Sequence, residues 1–317
     1  MLQLPPPATE PTMYFIGVTT AQSSIMKVFP RWAKALGIDA IIKGIDIGIR
    51  APDEHYRQAV GFIKNDPLSL GALVTTHKMT LLESARDMFD AFDPYAEMLS
   101  EISSISKRGD KLWGHAKDPI TSGLSLEAFL PTDWWSNHPQ AEVLLLGAGG
   151  SSLATTIYLM DAATHGKNRP SKIVVTNRTQ QRLAHMQQIH ERLNSGIPVE
   201  YHHCATFEDN DAVLANMPEH SLVINATGLG KDEPGSPLTD AAVFPKNGFA
   251  WEFNYRGDLG FMHQALAQKA TQNLTVEDGW IYFIHGWSQV IAEVFHLELT
   301  PELVNELSDV ASDLRPK

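Results

Sequence analysis

A single cysteine, Cys204, leaves this chain without an intrachain disulfide and without a thiolate metal cage. No run of about eighteen apolar residues occurs, so no transmembrane helix is expected. The opening Met-Leu-Gln-Leu-Pro-Pro-Pro-Ala lacks the basic start and long apolar core of a signal peptide, and the cytoplasm is the expected compartment. Positive charge is in short supply. The chain has 25 Lys and Arg against 37 Asp and Glu, a formal net charge of −12 at pH 7, which disfavours nucleic acid or an anionic membrane as the main partner. The HExxH motif is missing, and the 13 histidines are poorly spaced for a metal. His202 and His203 are neighbours on an expected strand and point to opposite faces, while His185 and His190 diverge on a helix, so no metal site is expected.

What is present is ordinary for a globular enzyme: 317 residues, 43% hydrophobic and 20% charged, long enough for about two domains. Strand and helix patterns alternate. Met13–Val18, Ala40–Asp46 and Gly71–Thr75 read as strands, with helices at Ser24–Leu36, Pro52–Asn65 and Met79–Phe89. A hairpin is expected around Gly109-Asp110 and a helix over Ser125–Leu130. Further strands follow at Val143–Leu146, Ile173–Thr176, Val199–His202, Leu222–Ala226 and Phe249–Phe253, and the pattern is helical after Gly279. The expected division is a flexible, proline-rich leader over 1–12, a first domain over 13–124 plus 286–317, and a second over 125–285.

The most informative segment is Ala141–Leu159. An apolar strand runs into Gly147-Ala148-Gly149-Gly150-Ser151-Ser152 and then into a helical pattern, the arrangement that holds a dinucleotide pyrophosphate. Gly147 allows the tight turn, Gly149 admits the phosphates to the backbone, and the unpaired helix N–H groups face the anion. About thirty residues on, the second strand of an NAD-binding unit usually ends in Asp or Glu, which accepts from the ribose 2′-hydroxyl. Here that position carries Asn177, followed by Arg178 and Thr179, with Arg182 one helical turn on. With no carboxylate to repel a 2′-phosphate and a guanidinium to bind it, NADP(H) is expected over NAD(H).

Three further segments end strands in polar groups. Leu73-Val-Thr75-Thr76-His77-Lys78 carries a lysine, which taken alone is more often a solvated charge; His77 beside it is expected to pack or orient. In Gly114-His-Ala116-Lys-Asp118-Pro, Asp118 could equally cap a turn or the following helix. Val223-Ile-Asn225-Ala226-Thr227-Gly228-Leu-Gly230 could pass under a nicotinamide ring or be a turn of no function.

Together and in this order, the segments resemble the shikimate dehydrogenase family over nearly the whole chain. The carriers are His77-Lys78 as the end of NVTxPHK, Asp118 as the end of GxNTD, Gly147–Gly150, Asn177-Arg178-Thr179 and Asn225-Ala226-Thr227-Gly228. Tyr255 after Glu252 resembles the DxxYxP segment. The resemblance implies an α/β fold of two domains: an N-terminal α/β substrate domain, then a Rossmann-like NADP-binding domain, with the C-terminal helices packing back on the first. It also implies Lys78 and Asp118 as the catalytic pair and a small-molecule substrate. Ser23, Thr75, Ser103, Tyr255 and Gln289 are the implied substrate contacts, and Gly279 joins the glycine loop and the Asn225–Gly228 segment at the cofactor. A monomer or a homodimer is compatible with it.

The departures lie in the substrate pocket. Where the family has HSxSP, Ser23 survives and Ile25 replaces the second serine. LVTTHK is one residue shorter than its counterpart, with Leu73 in place of asparagine; Ala116 replaces the asparagine of NTD, and the family's glutamine aligns with Gly286 or Gln289. Each lost amide or hydroxyl removes an oriented hydrogen bond. A related cyclic hydroxy acid, an amino or deoxy analogue, or a less polar cyclic polyol is therefore expected to suit Ile25 and Leu73 better than shikimate. The alternatives are a non-catalytic binder or regulator of the same fold, and a related keto reductase or methylene-tetrahydrofolate-type dehydrogenase.

Overall fold

The computed structural model of the chain describes residues 2–231 and 233–315. It divides into two compact units, one running to Asp118 and taking in Ile284–Arg315, the other spanning Pro119–Phe283.

The first unit is built on β1 (Thr12–Gly17), β2 (Ile41–Asp46), β3 (Ser69–Val74), β4 (Ala91–Phe92), β5 (Ser104–Arg108) and β6 (Lys111–His115), in the spatial order β2-β1-β3-β5-β6-β4. β1 pairs in parallel with β2 and β3, whereas β5 is antiparallel to both β3 and β6, the β5–β6 hairpin turning at Gly109. β1 is buried throughout, and Tyr14 and Ile16 join Val60, Ile63, Val74, Leu81 and Ile105 in one core. The C-terminal helix Pro301–Ala311 packs back on this unit against helix Ile25–Ala35, where the Trp32 indole N–H donates to the Leu307 carbonyl at 2.7 Å. Residues 2–10 have no regular secondary structure but do not trail as a free tail. Leu2 and Leu4 pack against the core, and the Ala8 amide donates to Asp66 at 2.7 Å. Two leucines with an apolar surface to cover give that extended run its anchor.

The second unit is a sheet of β7 (Val143–Leu146), β8 (Ile173–Asn177), β9 (Val199–His203), β10 (Leu222–Asn225), β11 (Phe249–Glu252) and β12 (Thr275–Glu277). Its order is β12-β11-β10-β7-β8-β9 and every pair is parallel, the doubly wound Rossmann-like arrangement. β7 and β10 are wholly buried, which is why both read as unbroken apolar runs rather than as alternating ones. The strand order reverses between β7 and β10, so a crevice opens beyond their carboxyl ends.

One histidine ties this unit to pH. His190, on helix Gln180–Leu193, is buried with Nε2 2.7 Å from the Thr156 hydroxyl and Nδ1 2.7 Å from the Tyr201 hydroxyl, and burial holds its pKa down at about 4. The unfolded chain, titrating near 6.5, therefore takes up the proton first. The stabilisation from neutral His190 is complete above about pH 6.5 and is lost as pH falls towards 4, by at most ~3 kcal/mol. Urea midpoints measured from pH 7 to 4.5 should fall more steeply for the natural chain than for His190→Gln; parallel curves would contradict this.

Candidate active site

In the first unit β3 delivers its polar end into a tight turn, Thr75-Thr76-His77, that opens straight into helix Lys78–Ala85. Thr76 sits at φ +51°, a left-handed conformation that a β-branched residue adopts only under constraint, and the His77 amide closes the turn on the Thr75 carbonyl. Thr76→Gly should thus raise stability by about 1 kcal/mol, the relief of strain exceeding the entropy cost of glycine. A thermal melt that drops instead would show the turn to be unstrained. His77 is 4% exposed; Nε2 lies 2.8 Å from the Ile47 carbonyl and Nδ1 3.2 Å from the Tyr56 hydroxyl. Burial lowers its pKa, so a neutral ring donating from Nε2 and accepting at Nδ1 anchors the start of the lysine helix.

Lys78 Nζ is paired with the Asp118 carboxylate, and both side chains are largely buried. Asp118 is the first residue of helix Asp118–Glu127, with Pro119 next, where proline needs no N–H partner and a carboxylate meets the positive helix end. The helix expected from Ser125 therefore begins seven residues earlier, at Asp118. A third carboxyl lies close by. Glu101 is 6% exposed, and burial pushes its pKa up to about 7, with the Lys78 charge pulling it down and Asp118 pushing it up.

The other expected substrate residues sit on several elements. Ser23 is half-buried behind the turn Thr20–Gln22, Thr75 Oγ1 lies 3.5 Å from the Ile16 carbonyl, and Gln289 is half-buried on helix Trp280–Phe295. The buried Ser103 hydroxyl accepts from the Lys117 amide at 2.8 Å, so it is already engaged within the fold. Tyr255 belongs to the second unit, packed on Trp280 and Phe283. Ile25 and Leu73, expected to shape the pocket, are 0% and 5% exposed. Both are core residues, one on the buried stripe of an amphipathic helix and the other on a covered strand, so neither argues for a less polar substrate.

In the second unit the crevice beside β7 and β10 is a cavity of about 240 Å³. Gly147, Ala148, Gly149, Asn177, Arg178, Arg182, Ala226, Thr227 and Gly228, all expected at the cofactor, line it. Gly147 has φ +105°, and a Cβ there would lie 3.0 Å from the Ala226 carbonyl oxygen, whereas nothing stands within 4 Å of one at Gly149. The chain thus turns tightly at the first glycine and leaves room beside the second. Gly149 is the N-cap of helix Gly150–Met160, so Gly150 and Ser151 lie in the first turn with its unpaired amides. Asn177 Oδ1 accepts from the Ala148 amide at 3.1 Å, and its Nδ2 donates to Thr179 Oγ1 at 2.9 Å, which ties the glycine loop to the end of β8. Arg178 and Arg182 are exposed at the rim. Turn, open helix end and rim cations together fit a phosphorylated dinucleotide. At Gly279 the fold itself requires glycine, since a Cβ there would lie 2.0 Å from the Phe253 carbonyl oxygen.

Sequence reasoning missed the opposite wall, where Cys204, Thr206, Phe207 and Asn210 complete the cavity. Burial pushes the Cys204 thiol up to about 11, so it is an inert wall residue. Glu252, matched in sequence to the first position of DxxYxP but given no role there, is fully buried at the end of β11. Its carboxyl accepts from Asn225 Nδ2 at 2.7 Å, the Asn254 amide at 2.9 Å and Asn254 Nδ2 at 2.7 Å. Asn225 Oδ1 in turn accepts from the Thr227 amide at 3.1 Å and the Thr227 hydroxyl at 2.6 Å, so a buried carboxyl sets the loop that lines the cavity.

No family model matches the chain. The shikimate dehydrogenase (NADP(+)) of Streptococcus thermophilus is 24% identical over 170 residues, 53% of this chain and 54% of that protein. The chain aligns with between about two fifths and two thirds of the length of the curated relatives it matches. In fold, the quinate dehydrogenase of Corynebacterium glutamicum, solved with NAD, superposes with a TM-score of 0.72 at 18% identity, covering 96% of this chain and 99% of that one. The shikimate 5-dehydrogenase of Thermus thermophilus, solved with NADP(H) and shikimate, gives 0.67 at 19% identity, over 95% and 99%. The chain is thus similar in sequence to curated shikimate dehydrogenases and shares the fold of solved shikimate and quinate dehydrogenases.

Proposed function

We propose that the chain is an NADP-dependent dehydrogenase acting on a secondary alcohol, or the corresponding ketone, of a cyclic hydroxy acid of the shikimate and quinate type. The observation that carries this reading is the largely buried Lys78–Asp118 pair, set at a strand end and a helix start. When bound, NADP supplies or accepts the hydride. In the reductive direction the Lys78 ammonium polarises the ketone oxygen and gives it a proton; in oxidation the neutral amine takes the hydroxyl proton. Asp118 orients the lysine and accepts from a substrate hydroxyl.

Absorbance at 340 nm, followed over shikimate, quinate and related cyclitols with NADP and NAD side by side, tests this reading. Turnover with NADP supports it. Tight NADPH binding with no turnover across the panel would favour a non-catalytic binder of the same fold.

The rim of the cavity makes a separate prediction. Arg178 supplies the guanidinium for a 2′-phosphate, and Asn177 leaves that end of β8 without a carboxylate. Arg178→Ala should lower kcat/KM with NADP by ~10-fold or more, as expected for a lost charge-assisted hydrogen bond, and leave NAD almost unaffected. Equal losses with both cofactors would place Arg178 elsewhere.

A further inference from the structure

Between the end of β6 at His115 and the helix opened by Asp118 the chain has only Ala116 and Lys117, and both are held. The Ala116 amide donates to Asp93 Oδ1 at 3.3 Å, and Asp93 is itself fixed as the N-cap of helix Pro94–Leu99, accepting from the Ala96 amide at 2.7 Å. The Lys117 amide donates to the Ser103 hydroxyl at 2.8 Å, and the Lys117 ammonium donates to Glu293 Oε2 at 2.6 Å. Glu293 lies far along the chain, on the part of helix Trp280–Phe295 that belongs to the first unit. Its other oxygen stands 3.3 Å from His115 Nε2 and 3.4 Å from an Arg108 guanidinium nitrogen. Burial alone would raise the Glu293 pKa, but the Lys117 hydrogen bond and the charges around it bring it below the ordinary range, so the pair is ionic.

We propose that Lys117 and Glu293 are positioning residues of the acid–base centre: their ion pair sets the placement of Asp118, and hence of the carboxylate that holds Lys78. The inference rests on the dehydrogenase reading given above. The two side chains are only 13% and 17% exposed, and an ion pair so covered adds little net stability over apolar side chains of similar size. What it supplies is a fixed geometry. With the preceding residue strapped by its side chain to the C-terminal helix and by its amide to Ser103, Asp118 enters its own helix at a set point. Ser103 is in turn tied to the end of β6, its amide donating to the His115 carbonyl at 2.9 Å.

The same pair fixes a second feature. Gln289 precedes Glu293 by one helical turn on the same face, so anchoring Glu293 also sets the face that carries an implied substrate contact. Loss of the pair therefore loosens the acid–base centre and one substrate contact together, and leaves the dinucleotide cavity, lined by residues of the other unit, untouched.

Full-length Lys117→Met, and the double variant that adds Glu293→Met, separate placement from charge. In K117M the two effects on Lys78 have opposite signs: loss of a neighbouring positive charge raises its pKa, whereas a displaced Asp118 lowers it. The double variant keeps the net charge, so only displacement acts on Lys78. In the pH dependence of kcat/KM for alcohol oxidation, the limb on which Lys78 loses its proton should move down by about one pH unit in both variants. At the optimum kcat should fall ~10-fold and KM should rise, with NADPH affinity within about twofold of the natural chain. A limb that stays in place in the double variant, whatever its melting temperature, or that moves up in K117M would reduce the pair to packing or bulk charge and overturn the proposal. A second readout needs no turnover. Competitive acetylation of Lys78 as a function of pH, followed by peptide mass spectrometry, should show a lower midpoint in both variants than in the natural chain. Glu101, the other ionisable group that faces Lys78, is common to all three proteins. An equal or higher midpoint would also overturn the proposal. If the midpoint falls as expected while no substrate in the panel turns over, it is the dehydrogenase reading that fails.

Discussion

Lys78→Met is expected to lower kcat by ~10²-fold or more while leaving NADPH affinity within about twofold. Methionine preserves the length and packing of the aliphatic stem but can neither polarise a carbonyl nor move a proton. The cofactor cavity is lined by residues of the other unit, so dinucleotide binding gives an internal standard for folding. Lys78→Arg separates two explanations that the methionine variant leaves joined. A guanidinium still pairs with Asp118, so the charge balance of the partly buried site is kept, but it does not give up a proton at accessible pH. If proton transfer is the role of Lys78, K78R should be nearly as poor as K78M in kcat. If only electrostatic pairing matters, K78R should retain most of the activity. Asp118→Asn should fall between, raising KM as well as lowering kcat, because it loses both the orientation of the lysine and an acceptor for the substrate hydroxyl. Near-normal turnover of K78M, measured at saturating cofactor by absorbance at 340 nm, would remove Lys78 from catalysis.

What could be read in the sequence, and what could not, divides along physical lines. Val143–Leu146 was legible because a central parallel strand covered on both faces must be apolar without alternation, and the glycines after it answer a local backbone requirement. Asn177 and Arg178 were legible for the same local reason, sitting where a strand end meets a cavity. β4 and β12 went unseen, since strands of two and three residues have no period to detect and exist through their pairing with β6 and β11.

The errors at the site are of a third kind. Ile25 and Leu73 could be aligned to polar family positions, but which way a side chain faces depends on the packed helix and sheet, and both turned inward. Thr76 looked like an ordinary polar residue, although it carries the left-handed turn of a shortened loop. Glu101 and Glu252 are the plainest cases. A glutamate in sequence reads as a solvated charge, and only tertiary burial reveals that each sits in the interior with its ionisation displaced. Local signals marked the lysine turn and the glycine loop; the buried groups packed around them come from contacts distant along the chain.

Glu252→Ala is expected to cost about 3 kcal/mol or more in unfolding free energy and to weaken NADPH binding ~10-fold. The stability loss follows from three N–H donors, two from Asn254 and one from Asn225, left without an acceptor in a fully buried place. The binding loss follows from Asn225, whose carbonyl oxygen holds both the amide and the hydroxyl of Thr227 on the wall of the dinucleotide cavity. Once its Nδ2 partner is gone, that side chain has no fixed orientation and the loop loses its template. Glu252→Gln should be milder, because its single carbonyl oxygen can still serve some of the three donors. It also isolates a pH effect. Burial outweighs the donors and pushes the Glu252 pKa up to about 7, against 4.5 for an ordinary glutamate. Between those values the folded chain holds a proton that the unfolded chain has released, so this group's contribution falls as pH rises through the window. The natural chain should therefore lose stability relative to E252Q from pH 4.5 to 7. Denaturant midpoints across that range, with NADPH titrations at pH 7.5, measure both effects. An alanine variant as stable as the natural chain, with unchanged NADPH affinity, would show that the buried carboxyl does not organise the loop.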